Sequence, residues 1–151
     1  MNRKLLLALI GAGAVFASAG PAFAQKPEDA VSYRKGIMEA LGWNVGPMGA
    51  MVKGDVSFDQ DRFAFLAARA AALSPMALEA FTPDTKSAKS EAKPALWDNL
   101  DDFKKRMKAM DESTAKLAEA ARAGDEAAIK GQFVEVVKVC KGCHDEYREK
   151  H

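Results

Sequence analysis

Beyond residue 26, apolar residues recur at alternating three- and four-residue steps in four segments, and no segment sustains a two-residue alternation. That periodicity predicts an all-α chain. The first segment runs from about Pro27 to Val52 in two adjacent rows, Val31, Met38, Val45 and Val52 on one and Arg34, Leu41 and Met48 on the next. Pro27 suits a first helical turn, where its missing N–H has no intrahelical partner anyway, and Glu28 and Asp29 favour the positive end of the helix dipole. Gly46-Pro47 is expected to bend the helix late, because proline removes a backbone donor and clashes with the preceding turn. Lys53-Gly54 should end it.

The second segment is expected to begin near Ser57, where Ser57-Phe58-Asp59-Gln60 fits a capping box, and to carry Phe63, Leu66, Ala70, Leu73 and Ala77 inward. Pro75 should kink or split it. Residues 82–94 have no apolar periodicity and are predicted to form one long surface loop with no part in the chemistry. A third helix is predicted from Pro94 through Leu96, Leu100, Phe103, Met107, Met110, Thr114, Leu117 and Ala121, with Gly124 stopping it. Asp125 should cap a fourth, which runs through Ile129, Phe133, Val136, Cys140, Cys143 and Tyr147. Four amphipathic helices with one long connection fit an antiparallel up-down-up-down four-helix bundle. Helices of about 20 residues are about 30 Å long, enough to enclose a flat cofactor.

The N-terminus changes the compartment. Arg3 and Lys4, an apolar run from Leu5 to Ala17, Gly20-Pro21 and Ala22-Phe23-Ala24 read as a secretory signal peptide, residues 1–24, removed after Ala24. Residues 25–151 would then be a single exported, periplasmic domain. No downstream stretch approaches the roughly 20 apolar residues of a membrane span. Without Arg3 and Lys4 the 22 basic residues fall to 20 against 21 acidic ones, a formal charge of −1. Nucleic-acid binding driven by bulk charge is therefore not expected.

The candidate chemistry lies in Cys140-Lys141-Gly142-Cys143-His144, which holds both cysteines of the chain. The spacing is that of the c-type haem attachment motif, C-x-x-C-H. At 100° per helical residue, Cys143 and His144 fall about 60° to one side and 40° to the other of Cys140. Two thiols can then add to the haem vinyl groups while His144 offers a nitrogen to the iron. A thioredoxin-like pair would need a βαβ setting, and structural zinc needs four ligands where only His144 and His151 accompany the cysteines. A plain disulfide on a haem-free helical binding module remains an alternative from another class. No Gly-rich phosphate loop or Ser/His/Asp arrangement points to an enzyme.

Three stretches together resemble the class II c-type cytochromes, the family that includes cytochrome c prime. Pro27-Glu28-Asp29-Ala30-Val31 with Tyr33-Arg34 looks like the start of that family's first helix. Pro94-Ala95-Leu96-Trp97 looks like the entry to its third, and Cys140 through Arg148 like its C-terminal haem site. The resemblance implies one covalent haem c with its iron, a four-helix bundle, and often a homodimer through the first two helices. In such a bundle Met38 and Met76 are the methionines level with His144. Met38 falls where the family places either an apolar residue over the iron or, in low-spin members, a ligating thioether, although a rotated helix would bring Ile37 there instead. Met38 is accordingly expected as the second metal ligand beside His144. Arg34, on an inward row, is expected to pair with a haem propionate, with Arg148, Trp97 and Tyr147 near the cofactor. The function expected is single-electron carriage to redox partner proteins that the sequence does not name. The alternative is a five-coordinate cytochrome c prime that binds nitric oxide or carbon monoxide.

Overall fold

The computed structural model describes residues 26–150; the predicted signal peptide, with its cut after Ala24, lies outside them. Helices α1 (Pro27–Lys53), α2 (Gln60–Leu73), α3 (Pro94–Asp98), α4 (Leu100–Ala123) and α5 (Glu126–Tyr147) carry nearly all of the regular structure. Short 3-10 helices occupy Ser74–Leu78 and Pro83–Thr85, and one antiparallel bridge joins Ala92 to Arg148. The four long helices form the expected bundle: α4 packs most extensively on α5 and on α2, and α2 packs on α1.

The ends of the helices follow local chemistry. Gly54 and Gly124 adopt φ of 80° and 82° after α1 and α4, the left-handed geometry that closes a helix and that a Cβ disfavours. Asp125 caps α5 by accepting the backbone N–H groups of Ala127 and Ala128. At α2 the cap is Asp59, not Ser57: its carboxylate accepts the Arg62 N–H at 2.9 Å. Phe58, just before the cap, stacks on Phe63 with ring centroids 5.4 Å apart. That contact is a hydrophobic staple, which fixes the entry angle of the chain and displaces the predicted start by two residues.

The prolines act differently from one another. Helix α1 continues through Pro47, which sits on its exposed side. Pro75 ends α2 and turns the chain into the 3-10 helix. Lacking an N–H, Pro75 leaves the Ala71 carbonyl without its helical donor, and the Ser74 hydroxyl reaches that carbonyl at 3.4 Å. The third predicted helix is divided at Asn99, whose φ of −126° and ψ of 43° break the spiral between α3 and α4. Its side-chain amide donates to the Ala95 carbonyl at 3.0 Å, the carbonyl its own backbone N–H also uses. Such local competition is why asparagine interrupts helices.

Of the two apolar rows of α1, the second is the deeper. Arg34, Leu41, Asn44, Met48 and Met51 are buried, whereas Met38 and Val45 pack only at the rim of the core. Leu41, Asn44, Met48 and Met51 repeat at three- and four-residue steps, one continuous buried seam along α1, whose main packing partner is α2. Phe63, Leu66, Leu117, Ile129 and Val136 fill the middle of the bundle. Aromatic rings collect at one end: Phe81 lies 4.7 Å from Phe103, which meets Tyr147 edge-on at 5.6 Å.

Candidate haem centre

Cys140, Cys143 and His144 sit on the last turns of α5, at that aromatic end. The start of α1, the end of the α2 region and the start of α4 reach the same level, since Tyr33 donates to Glu79 at 2.8 Å and Phe103 touches Tyr147. Both cysteines are free thiols, half-buried against the core. Burial pushes both thiols above the ordinary cysteine range, and at Cys143 the Arg106 cation opposes that shift. His144 points outward beside them. Desolvation first, and then the Arg148 cation, holds its imidazole below the usual histidine range, with Asp145 acting against them. An imidazole kept neutral offers a lone pair, the form a metal requires. His144, Asp145, Arg148, Glu149 and Lys150 line an open groove of about 380 Å³.

Arg34 is buried, 4% exposed, and all three of its hydrogen-bond acceptors are neutral: the Ala80 carbonyl at 3.2 Å, Thr85 Oγ1 at 3.0 Å and Ser90 Oγ at 3.0 Å. Its guanidinium lies 4.5 Å above the Phe81 ring and 5.9 Å from that of Trp97. A buried cation answered by neutral groups suits a cofactor that brings its own carboxylates. The donor set therefore fits a haem: two free thiols one turn apart, an imidazole next to them and a buried guanidinium at the same end.

The other expected residues fall as follows. Trp97 is half-buried beside Phe81, and Tyr147 is buried, donating to Asp102 at 2.6 Å. Arg148 is exposed and turned to the 82–94 segment, pairing with Glu91 at 2.9 Å. Met38 is half-buried with Ile37 at the rim of the core, whereas Met76 is 40% exposed on its 3-10 helix.

The 82–94 segment is more than a surface loop. Thr85 is wholly buried under Arg34, the Glu149 N–H donates to the Glu91 carbonyl, and the Lys93 N–H donates to the Tyr147 carbonyl, each at 2.9 Å. The segment straps α1 to the end of α5, which hydrophobic periodicity cannot register because its bonds are polar. Sequence reasoning also missed Asp102 and Arg106. Their i,i+4 spacing on α4 was the available signal.

The decisive likeness extends over nearly all of these elements: residues 29–148 match the family described as Cytochrome C'. This chain belongs to the cytochrome c' family. A cytochrome c' from Halomonas halodenitrificans is 36% identical over 129 residues, covering 82% of this chain and 98% of that one. The solved cytochrome c prime of Shewanella frigidimarina is 37% identical with a TM-score of 0.81, covering 83% of this chain and 98% of its own. A nitric oxide complex of a variant of cytochrome c prime from Alcaligenes xylosoxidans is 34% identical with a TM-score of 0.77, over the same shares. Membership of the cytochrome c' family establishes the four-helix bundle and a covalently attached haem c with its iron. Among the described residues no helix is long and apolar enough to cross a membrane.

Proposed function

We propose that this chain is a periplasmic cytochrome c' whose haem would be attached through Cys140 and Cys143, with His144 as the single protein ligand to its iron and a position left open to nitric oxide. When bound, the cofactor would supply a redox-active iron able to take up a small gas molecule. Support for the open position comes from the similarity, over nearly the whole described chain, to a cytochrome c prime solved as a nitric oxide complex. This reading departs from the sequence expectation of a ligating Met38. Packed with Ile37 at the rim of the core, Met38 serves as apolar cover that keeps water and larger ligands off that face. Arg34 presents a buried positive charge to a propionate, and Trp97 and Tyr147 complete the apolar wall.

An absorption spectrum of the exported protein tests the reading. High-spin bands are expected, with carbon monoxide and nitric oxide binding the ferrous form, and Met38→Leu should leave the spin state unchanged. Low-spin bands that become high-spin in Met38→Leu would instead establish the methionine-ligated electron carrier. Absence of a Soret band would establish the haem-free module.

A further inference from the structure

The attachment turn of α5 is gripped from α4 at two points. Arg106 Nη1 donates to the Gly142 carbonyl at 3.2 Å, and Arg106 Nε donates to Asp102 Oδ2 at 2.6 Å. The same carboxylate oxygen accepts the Tyr147 hydroxyl at 2.6 Å. Gly142 and Tyr147 lie on either side of Cys143 and His144, so the Asp102–Arg106 pair brackets the residues that face the cofactor. The guanidinium lies directly against the glycine: a Cβ on Gly142 would be in ordinary van der Waals contact with Arg106 Nη1, at 3.7 Å.

Apolar burial by itself sets no angle for the end of a helix, because the hydrophobic effect is non-directional. Charge-assisted hydrogen bonds are directional, and a planar guanidinium held by a carboxylate presents its remaining N–H groups at fixed angles. Rolling or sliding the turn would stretch the Gly142 contact, the Tyr147 contact, or both. We infer that Arg106, oriented by Asp102, is a positioning residue of the haem centre, setting the direction in which Cys143 and His144 project from α5. This rests on the assignment of His144 as the axial ligand.

The test uses haem-loaded exported protein and the variants Arg106→Gln, Arg106→Lys and, as a control on the exposed face of the same helix, Lys104→Gln. Resonance Raman spectroscopy of the ferrous form reads the iron–histidine stretch, which follows imidazole orientation; thermal unfolding is recorded alongside. Arg106→Gln should shift and broaden the stretch, Arg106→Lys should restore part of it, and Lys104→Gln should leave it unchanged. A lowered thermal midpoint with an unmoved stretch in Arg106→Gln would overturn the inference, reducing Arg106 to a structural contact. Should Arg106→Gln fail to accumulate with haem, Asp102→Asn, which keeps the cation and loosens its anchor, is judged by the same criterion. If wild-type protein shows no iron–histidine stretch, the open-iron reading fails instead. The ferric g-values, which also report the imidazole plane, then decide the role of Arg106 by whether they move in the variants.

Discussion

A single buried guanidinium organises the start of α1. Arg34 spends its hydrogen bonds on neutral oxygens, so its removal leaves Thr85 and the Ala80 carbonyl buried without a donor. Arg34→Met should therefore cost about 1.5–3 kcal/mol in denaturant unfolding of the holoprotein, the range for hydrogen bonds to a charged group. A loss near zero would show that water replaces it. Asp102 gives a pH signature. Arg106 first, and then the Tyr147 hydroxyl, holds its carboxyl below the ordinary aspartate range. A carboxyl depressed in the folded state binds fewer protons there, so its contribution is complete above the unfolded pKa of about 3.9 and is lost as pH falls through the lower folded value. The stability gap between wild type and Asp102→Asn should stay constant from about pH 7 to pH 5 and shrink below about pH 4. A gap that widens on acidification would contradict the assignment.

At the scale of elements, boundaries depend on one or two side chains each. Asp59 caps α2 with a side-chain bond to Arg62 N–H, and Asp59→Ala should lower stability by about 1 kcal/mol, measured by thermal or urea unfolding. Ser57→Ala, which touches the expected but unused cap, should change stability by less than about 0.5 kcal/mol. The misplaced start has a clear cause. Two residues that could cap lie two positions apart, and the Phe58–Phe63 stack selects the one that lets Phe58 cover the buried Phe63. The division at Asn99 was likewise beyond periodicity, since Leu96, Leu100 and Phe103 keep helical spacing across the break. What ends α3 is an amide bonding to Ala95, a competition that composition does not reveal.

For the whole molecule, the strap between α1 and α5 and the outer faces of α1 and α2 carry the consequences. Removing Lys86 to Lys89 should leave the haem spectrum unchanged, because loop closure costs vary slowly with length. Replacing Thr85 and Ser90 together by valine and alanine should loosen the strap and raise hydrogen exchange at the start of α1. Equal exchange in both proteins would show that the strap is incidental. Trp43 on α1 and Phe65 on α2 are 76% and 51% exposed, on the two helices through which the sequence resemblance implies a homodimer. If the exported protein sediments as a dimer, Phe65→Asp should convert it to a monomer, and an unchanged sedimentation coefficient would place the contact elsewhere.

Periodicity alone located the helical segments and an apolar stripe along each, because a side chain's direction on a helix depends on its position along the chain, whereas the boundaries at Asp59 and Asn99 lay beyond it. The Cys140 to His144 motif likewise carried its chemistry locally, since two thiols and an imidazole within five residues need no other element to share a face. Tertiary structure decided the rest. It chose the Arg34, Leu41 and Met48 row over the Met38 row as the deep face of α1, because the rotation of a helix about its own axis is set by how it packs on its neighbours, here chiefly α2. It also made a strap of residues predicted as a loop and joined Asp102 and Arg106 to Gly142 and Tyr147. Those contacts unite residues 36 to 51 positions apart in the chain, and pairings at such separations are set by how helices pack.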